Sequence, residues 1–174
     1  MSTFKSIGLF AAVTALLAVT ASPAQAVPYQ PNGKIKAQGD AAFLGNDVYN
    51  TDGTGQSVGT VIDHRGVAKF VIKVQNDGTK RDKLIVNLVT LDYDGGWKTN
   101  LYRGQNDVSF PATGNGYKTR KLAPGESVKL VLREKNTSTD PVDGHFIDEL
   151  IEIDSKNDGD TVVDVVLASA AVQL

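Results

Sequence analysis

The chain has 174 residues, of which 41% are hydrophobic and 22% charged, with 17 glycines, 6 prolines, no cysteine and a net charge of −2. So slight an acidic balance disfavours a nucleic-acid interface and a polybasic membrane anchor, and the glycine and proline counts exclude collagen and proline-rich linkers. Without cysteine neither a disulfide framework nor an N-terminal lipid anchor is available, so a hydrophobic core has to carry the stability.

The first 26 residues have the three parts of a secretory signal. Lys5 supplies the positive region and Ile7 to Val19 the apolar stretch. Ser22 and Pro23 break the helix, and Ala24-Gln25-Ala26 forms a small-x-small cleavage site. The apolar run stops short of the ~20 residues that a membrane span needs. The expected product is exported, begins at Val27 and keeps no membrane span. Residues 27–33 form a short polar lead, and residues 34–174 remain for one domain. A chain of about 150 residues buries roughly 68–70% of its unfolded surface, enough for one core without a metal or disulfide.

The domain then falls into short alternating runs separated by turn residues. Lys69 to Gln75 places Phe70, Ile72 and Val74 on one face and Lys69, Lys73 and Gln75 on the other, and Asn76-Asp77-Gly78 makes a turn. Lys83 to Leu91 is the next strand, with Leu84, Val86 and Leu88 inward. After the turn Ala123-Pro124-Gly125-Glu126, the run Ser127 to Arg133 alternates through Val128, Leu130 and Leu132. Phe146 to Ile153 fits two patterns. As a helix it would gather Phe146, Ile147, Leu150 and Ile151; as a strand it places Ile147, Ile151 and Ile153 on one side, with Glu149 intruding. The turn Asn157-Asp158-Gly159 that follows favours the strand. Thr161 to Val172 is nearly continuous apolar chain, expected in the middle of a sheet. About eight or nine strands with turns between them predict an all-β, antiparallel β-sandwich.

Three features in order, Val74-Gln75-Asn76-Asp77-Gly78-Thr79, Gly95-Gly96-Trp97 and Leu122-Ala123-Pro124-Gly125-Glu126-Ser127, resemble the immunoglobulin-like β-sandwich modules of bacterial secreted and surface proteins, the CARDB-like domains. The resemblance spans about Ile35 to Leu174. It implies an immunoglobulin-like fold and a role in adhesion, spacing or assistance to other domains. Against that habit, no second domain is expected beside residues 34–174.

Gly55-Gln56-Ser57-Val58-Gly59 matches the G-x-S-x-G of hydrolase nucleophile elbows, but that motif needs a strand before it and a helix after it. Here turn formers precede the serine and a strand follows, so Ser57 is expected to be inert. Asp154, Asp158 and Asp160 around Gly159 offer hard oxygen ligands suited to calcium, although an EF-hand register would put Lys156 and Val165 at ligand positions. A solvated turn is the expected reading, with no cofactor and calcium the one cation left open. Asp47 with Asp52, and Asp92 with Asp94, are weaker pairs of the same kind. Trp97 and Phe110 are expected to fill the core, with Tyr102 and Tyr117 at strand edges as candidate binding residues. Asn136-Thr137-Ser138 is a formal glycosylation sequon.

The expectation is thus a secreted, non-catalytic module, binding or structural, in the extracellular space or at the cell envelope, with an unidentified protein or glycan as partner. The alternative is a small secreted hydrolase or glycan-modifying enzyme. Sequencing the N-terminus of the exported protein is expected to return Val-Pro-Tyr; recovery of an intact N-terminus in the membrane fraction refutes the cleavage.

Overall fold

A computed structural model describes residues 27–159 and 163–174; the expected signal segment and Asp160 lie outside them. Alternating apolar residues lay down most of the long strands, which are β1 (Pro31–Ala37), β2 (Ser57–Asp63), β3 (Val67–Asn76), β4 (Leu84–Tyr93), β5 (Trp97–Arg103), β8 (Ser127–Asn136), β9 (Phe146–Ser155) and β10 (Val163–Gln173). Between β5 and β8 come β6 (Asn106–Asp107), the short helix α1 (Ser109–Thr113) and β7 (Tyr117–Lys118).

The strands form two five-stranded sheets, ordered β1-β3-β8-β5-β6 and β2-β10-β9-β4-β7. Every pairing is antiparallel except β2 beside β10. Removing β2 and the β6–β7 insertion leaves β1-β3-β8-β5 facing β4-β9-β10, the ABED and CFG sheets of an immunoglobulin constant-type sandwich. The fold is therefore an all-β, immunoglobulin-like sandwich. In place of a disulfide between the sheets, Phe70, Ile72, Leu130, Leu132, Ile151 and Val166 meet with no exposed surface.

Phe146–Ser155 is a strand, and β10 lies mid-sheet between β2 and β9. Two expectations are corrected. The strand predicted over Ser127 to Arg133 continues to Asn136, turning Glu134 and Asn136 inward after Val128, Leu130 and Leu132. Phe110 does not fill the core: it is 88% exposed. At about 100° per residue, α1 aims Ala112, its one buried residue, away from the direction of Phe110.

Ile151 lies on the inner face of β9 with no exposed surface. Ile151→Ala is expected to cost about 2–5 kcal/mol, read by denaturant unfolding, because a rigid two-sheet core refills such a cavity only in part.

Candidate functional site

Near one end of the slab, both inner faces carry a glutamate where their neighbours carry Leu or Ile. On one sheet Glu134 stands between Ala68 of β3 and Thr99 of β5; on the other Glu149 stands between Ala168 of β10 and Thr90 of β4. Small and hydroxyl-bearing neighbours leave room for the two carboxyl groups. Glu149 Oε1 accepts hydrogen bonds from Thr90 Oγ1 at 3.0 Å and, across the slab, from Thr99 Oγ1 at 2.9 Å. Glu149 Oε2 and both oxygens of Glu134 are buried with no hydrogen-bond partner.

That poverty of partners is unusual in this protein. The buried carboxylate of Asp164 accepts from the backbone N–H groups of Gly33, Asn50 and Val165 and from Gln56 Nε2. Buried Asp82 accepts from Ser155 Oγ, Asn157 Nδ2 and the Lys83 N–H. Where a carboxylate only braces loops, the fold satisfies it; Glu134 and Glu149 are left wanting.

Burial and the nearby carboxylates of Glu149 and Asp148 lift Glu134 to about 8. Burial also pushes Glu149 up, against the downward pull of its two threonine hydrogen bonds. Glu134 is thus protonated at neutral pH.

A cleft of about 300 Å³ opens beside this layer, between the edges of β4 and β5. Glu149, Leu88 and Ile147 form its floor, Thr90 and Thr99 its walls, and Tyr93, Trp97 and Thr113 of α1 its mouth. The cleft exists because β7 pairs β4 only at Ile85 and Val86, and β6 pairs β5 only at Tyr102 and Arg103. An irregularity between Thr90 and Asp92 bends β4 at the same place, as β-bulges beside binding sites do.

Trp97 is half-buried: it packs against the core and lines the cleft. Its indole N–H donates to the Asp94 carbonyl at 2.9 Å. The turn that delivers it needs Gly95, whose φ is +84° and where a Cβ would sit 2.6 Å from the His145 ring. The sequon residue Asn136 is buried, its amide holding Gly96 O and the Arg65 N–H.

The remaining sequence candidates are scattered. Tyr102 is half-buried under the Arg133 guanidinium, 5.7 Å from its ring, beside a broad depression on the outer face of β5 and β8. Tyr117 is only 8% exposed and belongs to the core, because β7 tucks it opposite Val86. It is no surface partner for Tyr102. Asp154 accepts from Asn87 Nδ2 on β4, Asp158 lies in the turn after β9, and Asp160 is outside the described residues. Among the described residues no three His, Cys, Asp or Glu side chains converge as a metal site. Asp47 accepts from Asn32 and Asn46, Asp52 closes its own turn through the Thr54 N–H, and Asp92 accepts from the Tyr93 N–H. Ser57 opens β2 and donates to Gly53 O. His64 follows the far end of β2, roughly 20 Å away at strand rise. His145, bonded through its carbonyl to Val172 near the end of β10, is at that far end too.

Sequence reasoning missed the paired glutamates as a site. Glu149 was visible as a polar intruder in an apolar alternation; Glu134 needed that alternation carried one step past Arg133.

The chain matches no protein-family model and no curated protein. Among solved structures it is similar to a FixG-related protein from Vibrio parahaemolyticus (11% identity, 83% of this chain and 97% of that one, TM-score 0.44). It is likewise similar to the N-terminal domain of PorA (15%, 81% and 97%, 0.46) and to PapD-like domain 7 of human CEP192 (10%, 94% and 97%, 0.42). At these identities and TM-scores none of the likenesses bears on what the chain does.

Because Glu134 binds a proton in the folded state that it has lost in the unfolded state between pH 4.5 and about 8, stability falls as pH rises through that window. The slope is about 1.4 kcal/mol per pH unit while only the folded form is protonated. Glu149 and Asp164, also raised, act in the same direction. Melting temperatures are expected to be higher at pH 5 than at pH 8. Glu134→Gln is expected to flatten that difference; an unchanged pH profile in this variant refutes the assignment.

Proposed function

We propose that the chain is a secreted, non-catalytic β-sandwich module with a binding role at the cell envelope or in the extracellular space, and that the cleft between β4 and β5 is its binding site. One observation carries the reading: Glu149, a buried glutamate whose Oε2 has no hydrogen-bond partner, lines an open cleft together with Trp97 and Tyr93. Pockets that combine apolar walls, aromatic rims and a single polar group of this kind are the usual form of a small-ligand site.

The paired glutamates also favour a second reading, a glycan-hydrolysing enzyme. Glycoside hydrolysis requires both carboxyl groups to flank the scissile bond. Glu134 has no exposed surface and does not line the cleft, so only one carboxyl group can meet a ligand there. Binding fits this arrangement and hydrolysis does not.

Trp97 is the sole tryptophan and reports on the cleft directly. Adding a muramidase digest of bacterial cell wall is expected to change its emission saturably, and Thr113→Arg at the exposed rim is expected to abolish the change without lowering the melting temperature. Mass spectrometry is expected to return the digest unaltered. Constant emission refutes the binding site, and cleavage of the fragments refutes the non-catalytic role.

A further inference from the structure

We propose that the cleft accepts a primary alkylammonium group, the end of a slender aliphatic arm such as a lysine side chain or a free diamine. Its nitrogen sits at Glu149 and its methylenes lie against Leu88, Ile147 and the Trp97 ring. The inference rests on the cleft being the binding site of this module.

The floor accepts hydrogen bonds and donates none. Thr90 and Thr99 each spend their one hydroxyl proton on Glu149 Oε1, so toward the cleft they present only lone pairs. Glu149 Oε2 lies buried beside them with its acceptor capacity unused, so the layer holds three acceptor oxygens for a donor that reaches it. A primary ammonium has three N–H donors and no acceptor. A hydroxyl or amide would bring lone pairs of its own against this floor, and an anion would be repelled by it.

Charge and shape agree. Among the described residues neither glutamate has an ion-pair partner, so a cation from outside would supply the missing counter-charge. Glu149 is only 1% exposed, so a ligand has to send a slender group down to it past the apolar lining. A methylene chain can do so, burying apolar surface as it goes. At the mouth, the faces of Trp97 and Tyr93 suit an incoming cation. A calcium ion takes 6–8 oxygen ligands, more than this floor offers.

The test titrates the purified chain with three probes: the tripeptide acetyl-Gly-Lys-Gly-amide, its Nε-acetyllysine counterpart, and pentane-1,5-diamine, followed by Trp97 emission and calorimetry. The free-lysine tripeptide is expected to bind saturably. Nε-acetylation and Glu149→Gln are each expected to weaken it about tenfold or more, the loss of one charged hydrogen bond. Diamine binding equal to the tripeptide's assigns the ligand to the arm alone; weaker diamine binding assigns it to a lysine held in a peptide. Should Glu149→Gln not fold, Thr113→Arg reads the same loss. Equal affinity for the acetylated and free tripeptides overturns the inference and leaves the binding cleft standing. So does silence from every amine while the cell-wall digest still moves Trp97 emission. Silence from amines and digest alike overturns both.

Discussion

Two sheets packed face to face leave a slab about 10 Å thick, and any polar atom placed in it has to find its partner inside the slab. The architecture of this chain follows from how it meets that demand. Most of the slab is filled by aliphatic side chains and Phe70, which ask for no partner. Without cysteine to pin the sheets, close packing and a few hydrogen bonds across the slab, such as Thr99 to Glu149, hold them together. Near its edges the fold admits two aspartates, and each is given a set of donors: backbone N–H groups and an amide for Asp164, a serine and an asparagine with one N–H for Asp82.

Among the buried carboxyl groups the glutamate layer is the exception, and its place in the topology explains why it can exist. It lies where β4 and β5 have outrun their short edge partners, so one side of the slab is open. A carboxyl group there is shielded from water by protein on most sides but faces a cleft on the other. Leaving a buried charge unpaired costs several kcal/mol, and the chain avoids most of that by keeping Glu134 protonated. Glu149 keeps part of its hydration replaced by two threonine hydroxyls and part of it missing. The missing part is what a ligand can supply.

Much of the fold was legible because it depends on local alternation. The strands through Phe70-Ile72-Val74, Leu84-Val86-Leu88 and Val128-Leu130-Leu132 place the residues inward that their period of two demands. The apolar run through Val165 and Val166 marks a strand flanked on both sides within its sheet. The misreadings have a common cause. Glu134 and Asn136 fall beyond the strand expected over Ser127 to Arg133, and Phe110 is expected in the core. Tyr117, on the edge strand β7 as expected, is by sequence a candidate binding residue although its side chain is buried. Each was decided by the backbone it sits on. Asn136 turns inward because its amide caps the chain at Gly96 and Arg65; Phe110 turns outward because α1 has only one buried face, and Ala112 occupies it.

By itself, the sequence determined that this is an all-β chain, which residues of its main strands face inward, and that no disulfide is available. Those properties reside in neighbours along the chain, where periodicity and turn chemistry act directly. Only the tertiary structure decided that Glu134 and Glu149, Thr90 and Thr99 form one cluster. Glu134 and Thr99 belong to one sheet, Glu149 and Thr90 to the other, and the distance between them is set by the packing of the sheets. Whether a carboxyl group is solvated, satisfied or left short of a partner depends on that packing, and no local pattern records it.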